Sequence, residues 1–409
     1  MKLPVFLLKR AVVCYNREKT RRGACAKERD GGMERKYSKA LLDGMREKQR
    51  ETTFEGVPVL VKPIPEGGEP GDMDPRLYRT MRMMPLLEKL MVFRKKPKTI
   101  LETVLPLRKM FGEYKGIRLV DAGVQIARET VPSADGYPVP VRVYTRLTPG
   151  SGRPVLVFFH GGGFFGGGVE IVEQLCMLLV QKLDCVVCSV AYRLCPENHY
   201  PQPLDDCWNA ALWARENAVR FGGDGARLAV GGDSAGGNLA AAITLRSRRE
   251  GIALVKCQLL LYPVVNIAGK KTGFYQGVQP EKYCYSHRHA KILRASQRLI
   301  SKMLNGGGSE NLMEEIYLQG RLPAGHEYAS PLLGDCTGLP PTLLLFGEHD
   351  FLAFEDFAYA QTLQKAGVPL RLIVYRGLGH GFADQIGVTP QAEDCVDELT
   401  AYLAGRLGG

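Results

Sequence analysis

Hydrophobic and polar positions divide the chain into two texts that meet near Gly116. Residues 17 to about 75 carry charge without a period and are broken by Gly31, Gly32, Gly67, Gly68 and Gly71, a pattern that predicts loop. Apolar residues then recur at helical spacing over 76–93 and 100–110, which predicts two helices packed across a larger body. After Gly116 the segments 124–130 and 139–145 alternate around Ala134-Asp135-Gly136, as half-exposed strands joined by a turn do. Denser apolar runs follow at 155–159, 186–190, 228–230, 259–261, 343–346 and 372–375. Stretches long enough for helices separate them at 169–183, 204–219, 236–248, 354–366 and 391–405. Buried strands alternating with helices predict an α/β fold with a mainly parallel sheet covered on both faces. One interval, about 266–329, shows no clear strand but a helical pattern across 291–304. It reads as an insertion beyond the strand ends, where ligands of such sheets bind. The resulting division is a largely helical N-terminal extension and cap over 1–115, and a catalytic domain over 116–409 carrying that insertion.

Charge changes this picture only at the N-terminus. The formal net charge is +11, yet residues 1–115 hold 27 Lys and Arg against 15 Asp and Glu, and the remainder 27 against 28. The basic quarter could meet a membrane surface or an acidic partner, and it contains no recognised nucleic-acid module, so no nucleic-acid partner is expected. The first sixteen residues carry short apolar runs interrupted by Lys9 and Arg10. They lack a small-residue cleavage site and are a candidate for peripheral membrane contact. No stretch approaches the roughly 18 uncharged apolar residues of a membrane span. Eleven cysteines are scattered through the sequence, and Cys185 and Cys188 flank two valines in an apparent strand. Cys188, Cys207 and Cys257 lie in apolar surroundings suited to buried thiols, so a reducing, cytoplasmic compartment is expected.

The chemistry concentrates in short glycine-rich segments. Gly232-Asp233-Ser234-Ala235-Gly236 stands between an apolar run and an Ala/Leu-rich helical stretch. A sharp strand-to-helix turn there exposes Ser234, with small neighbours letting the backbone pass closely. His160-Gly161-Gly162-Gly163 follows the run 155–159. The N–H groups of Gly161 and Gly162, joined by that of Ala235, are candidates for holding an oxyanion. His160 and Gly163 are candidates for positioning that loop. A phosphate-loop reading fails, because no GxxxxGK[ST] is present. The serine needs a base and the base an orienting acid. His380, in Gly379-His380-Gly381-Phe382, follows the run 372–375, and Asp350 follows 343–346. Glu348 and Asp356 are fallback acids. His287 and His289 are spaced like one face of a strand, but no ligand set accompanies them, so no metal is expected.

Taken in order, HGGGFFGG at 160–167, AYRLCPENHYPQPLDD at 191–206, GDSAGG at 232–237, SPLL at 330–333, the His-Asp of 349–350 and GHGF at 379–382 resemble the hormone-sensitive lipase family of α/β-hydrolases, with its bacterial esterases. The resemblance runs from about residue 124 to the C-terminus. It implies a mostly parallel eight-stranded sheet flanked by helices under a helical cap. It also implies Ser234 as nucleophile, His380 as base, Asp350 as acid, and no cofactor. Cys195 stands where the motif often continues with alanine, and the N-terminal region is longer and more basic than a minimal cap. The implied activity is hydrolysis of small carboxylic esters, with short- to medium-chain acyl groups, by a protein that could also form a homo-oligomer. Amide hydrolysis by the same serine, or ligand binding on the fold without turnover, are the competing functions.

Overall fold

The computed structural model describes residues 34–91, 99–148, 150–272, 275–276, 288–304 and 311–408. The apolar start considered for membrane contact and His287 lie outside these residues. Among the described residues, no helix is long and apolar enough to cross a membrane.

The strands expected from the pattern are present: β3 (Val124–Pro132), β4 (Pro138–Arg146), β5 (Arg153–Phe159), β6 (Val186–Val190), β7 (Gly223–Asp233), β8 (Cys257–Leu261), β9 (Thr342–Gly347) and β10 (Leu370–Tyr375). Two more come from the stretch whose charge predicted loop, β1 (Arg50–Phe54) and β2 (Val57–Lys62). The sheet therefore has ten strands, ordered β1-β2-β10-β9-β8-β7-β5-β6-β4-β3. Pairing is parallel from β6 across to β2, and antiparallel for β3 with β4, β4 with β6, and β1 with β2. β5, β6, β8 and β9 are buried at every position. Runs rich in Val, Leu and Phe are what strands covered on both faces require.

The helices are α1 (Lys39–Glu47), α2 (Pro75–Met81), α3 (Met84–Met91), α4 (Ile100–Phe111), α5 (Glu173–Leu183), α6 (Gln202–Asn217), α7 (Ala235–Arg249), α8 (Ala290–Leu304), α9 (Ala353–Lys365) and α10 (Pro390–Leu407). α1 starts at Ser38, whose hydroxyl accepts from the Leu41 N–H, and α2 starts at Asp74 with proline at its first position. α10 presents Glu393, Asp394, Asp397 and Glu398 to the N-terminal segment. Arg35 and Tyr37 bind Glu393 at 2.7 and 2.6 Å. Arg46 binds Asp394 at 2.8 Å and also reaches Asp397. The buried Lys62 amine lies 3.0 Å from Asp394 and 2.6 Å from Glu398. Part of the N-terminal basicity thus meets an acidic face of the same chain. α3 packs on α8, with Arg298 on Glu88 at 2.6 Å, so the insertion and the N-terminal helices come together.

Candidate active site

The sheet order reverses between β7 and β5, with β8 and β9 on one side and β6 on the other. Loops leaving neighbouring strands at such a point diverge and open a crevice. Ser234 leaves β7 there, and the loop from His160 leaves β5 beside it, Phe159 pairing with Gly232. Ser234 caps α7 with φ 53° and ψ −116°, a strained backbone for a residue with a side chain. The Ser234 N–H donates to Leu261 O at 2.9 Å, which anchors the turn to the sheet. A Cβ on Gly236 would lie 2.0 Å from Phe159 O, so only glycine fits the crossing of elbow and strand.

His380 and Asp350 leave the ends of β10 and β9. The Ser234 Oγ is 2.9 Å from His380 Nε2, and His380 Nδ1 is 2.9 and 3.0 Å from the two Asp350 oxygens. Asp350 is buried and its Oδ1 also accepts from the Leu352 N–H at 2.9 Å. The imidazole lies between Tyr262 and Phe351, ring centroids 4.9 and 4.6 Å away. Of the fallback acids, Glu348 accepts from the N–H groups of Gly71 and Gly377 at 3.2 and 2.9 Å, tying the N-terminal segment to the His380 loop. Asp356 is fully buried within α9, and among the described residues neither carboxylate oxygen has a partner. Burial, with Asp350 and Glu355 nearby, pushes its carboxyl well above the usual carboxylate range.

The glycine loop departs from expectation at one position. The Gly161 N–H donates to Asp233 Oδ1 at 2.8 Å, so it is engaged and not free for an oxyanion. Gly162 and Gly163 follow with φ of 120° and 63°. A Cβ on Gly162 would lie 2.2 Å from Gly166 O. No partner is recorded among the described residues for the N–H groups of Gly162, Gly163 and Ala235. Gly163 therefore replaces Gly161 as a candidate donor. Asp233, whose carboxyl burial and nearby Asp384 push up, was visible in the motif but gave no sign that it would take this N–H.

His160 is buried, its Nδ1 2.8 Å from Gly161 O and its ring stacked on Tyr192 at 4.4 Å. Burial pushes its pKa down to about 4, so the ring is neutral in the loop. Arg108 on α4 donates to Phe165 O and Cys195 O, both at 2.6 Å, and lies 2.6 Å from Glu197. Cys195 is buried, and the eight cysteines among the described residues are free and buried. His289 meets the N-terminal segment, its Nδ1 accepting from the Met73 N–H at 3.1 Å and lying 3.3 Å from Asp72. His349 reaches Asp72 O at 3.0 Å. His199 lies against Tyr200 O, and His326 accepts from the Tyr328 N–H. None of these four belongs to the serine file.

Known proteins resemble this chain in sequence and in fold. A family model described as alpha/beta hydrolase fold matches residues 156–384. A carboxylesterase, NlhH, of Mycobacterium tuberculosis is 32% identical over 273 residues, covering 66% of this chain and 79% of that protein. An ethyl acetate hydrolase of Pseudomonas putida is 31% identical over 289 residues, covering 68% and 82%. Among solved structures, an esterase of Pyrobaculum calidifontis superposes with a TM-score of 0.61 at 29% identity, covering 81% of this chain and 98% of that one. These relatives do not favour amide hydrolysis or binding without turnover. With a mostly parallel sheet, a serine at its switch point and carboxylesterases for relatives, the chain belongs to the α/β-hydrolase fold family, among its hormone-sensitive-lipase-like esterases, and is a serine carboxylic ester hydrolase.

Proposed function

We propose that Ser234, His380 and Asp350 carry out this hydrolysis through an acyl-enzyme, on small esters with short- to medium-chain acyl groups. The supporting observation is the hydrogen-bonded file from Asp350 through His380 to Ser234, lying beside a loop with N–H groups to spare. Asp350 holds the Nδ1 proton of His380, which leaves Nε2 able to take the Ser234 proton as Oγ attacks the carbonyl carbon. The N–H groups of Gly162, Gly163 and Ala235 receive the charge that develops on the carbonyl oxygen. His380 then protonates the departing alcohol, and a water that it activates releases the acid. His160 and the Asp233 bond to Gly161 hold the loop in place. α2, α3, α4 and α8 form the cap over this centre, which agrees with the ties from Asp72 and Met73 to His349 and His289. The short-acyl preference draws on the relative named for ethyl acetate.

The test is hydrolysis of p-nitrophenyl esters from acetate to palmitate by the wild type and Ser234→Ala. Serine-dependent turnover that peaks at short or medium chains is expected. Turnover rising steadily to palmitate, or surviving in the variant, would contradict the proposal.

A further inference from the structure

The insertion returns to the body through a turn that the sequence pattern left undescribed. Residues Glu314–Leu318 form a π-helical turn, a rare form that occurs frequently at functional sites. Ile316, Tyr317 and Leu318 on it are fully buried. The Tyr317 ring lies flat on Phe164, with centroids 4.0 Å apart and planes 4° from parallel. Its carbonyl accepts from the Tyr200 N–H at 2.7 Å. Phe164 carries φ 66°, a left-handed conformation that needs such support in a residue with a side chain. The turn is therefore clamped to the glycine loop.

Met313 stands at the start of this turn, half-buried. Its methyl lies 3.2 Å from where a Cβ on Gly163 would sit, so it borders the loop that faces the carbonyl oxygen. Beside the histidine, Phe351 packs on the His380 ring and Leu77 comes to 3.7 Å from a Cβ built on Gly379. The leaving oxygen of an ester must face His380 Nε2, which sends the alcohol portion to the histidine side of the site, where Phe351 and Leu77 lie. With the carbonyl oxygen on the loop N–H groups, the acyl chain takes the remaining direction, along the loop toward Met313.

We propose that Met313, held by the clamped turn, is the wall that limits the length of the acyl chain. This rests on the ester-hydrolase mechanism above and adds which residue selects its substrate. A thioether is a compliant wall, so the limit is graded. Trimming it to alanine opens room for about two or three methylenes, each able to shift specificity by roughly 10-fold or more.

The experiment measures kcat/KM for p-nitrophenyl acetate, butyrate, hexanoate and octanoate with wild type, Met313→Ala and Met313→Trp, with melting curves to confirm folding. Alkyl acetates of increasing alcohol length are run in parallel. The octanoate-to-acetate ratio should rise at least about 10-fold in Met313→Ala and fall comparably in Met313→Trp, while the alcohol series keeps its wild-type profile. If Met313→Trp does not fold, Met313→Ala decides alone. An acyl ratio within about twofold of wild type in the folded variants, or a shift in the alcohol series instead, overturns the proposal. Failure of the underlying mechanism looks different, because wild-type turnover would then be absent or unchanged in Ser234→Ala.

Discussion

The catalytic loops and the N-terminal segment hold their polar groups in different ways. Around Ser234 the contacts are few, short and made within loops that leave adjacent strand ends. Along residues 35–62 the side chains of Arg35, Tyr37, Arg46 and Lys62 run to one helix more than 330 positions later, the acidic face of α10. On the proposed mechanism the first arrangement places atoms for chemistry. The second ties the N-terminal segment, including the end of β2, to α10. Damage to the two regions should therefore separate activity from stability.

The largest effect is expected at the loops. Asp350→Asn leaves the shape intact but favours the wrong imidazole tautomer, and kcat should fall by about 10⁴-fold with little change in melting temperature. Parallel losses in both measurements would mean that Asp350 is chiefly structural. The converse is expected at Lys62. Lys62→Met leaves Asp394 and Glu398 without that amine in a buried site, which should cost roughly 3 kcal/mol of stability in urea unfolding. Turnover by the remaining folded enzyme should match wild type. A drop in its kcat would place the N-terminal strands in communication with the active site.

An effect that vanishes at neutral pH and grows only in acid sharpens the comparison further. The His160 pKa is lowered by burial to about 4, so the fold disfavours its charged form. The unfolded chain binds this proton below about pH 6.5 while the folded one does not until near pH 4, so stability falls as pH drops through that window. His160→Gln removes the proton and should flatten this part of the acid limb, by up to about 3 kcal/mol at pH 4. Equal acid limbs in denaturant titrations of the two proteins would show that His160 is not the group responsible.

The same division explains what could be read from the residues alone. Ser234, Asp350 and His380 each follow a dense apolar run and have glycines close by, so strand and turn announce the candidate residues locally. The mainly parallel sheet was legible for the same reason, since runs such as 155–159 and 343–346 are apolar throughout. β1 and β2 were not. Every residue of β1 is exposed, β2 contains Pro58 and ends on a lysine, and β2 pairs with the distant β10 while β1 pairs with β2. Gly161 misled for a related reason. Three consecutive glycines look alike in sequence, and only the Asp233 carboxylate, folded against the first of them, distinguishes their N–H groups. The turn at 313–318 carries no motif and takes its meaning from Phe164 and Gly163, far away in the chain.

Intact-mass and peptide mass spectrometry after treatment with a p-nitrophenyl alkylphosphonate tests the central claim most directly. One adduct per chain, located on Ser234 and rising in step with loss of esterase activity, is the result expected of a serine activated by His380. Complete inactivation with the adduct elsewhere, or full activity retained in protein labelled at Ser234, would contradict it.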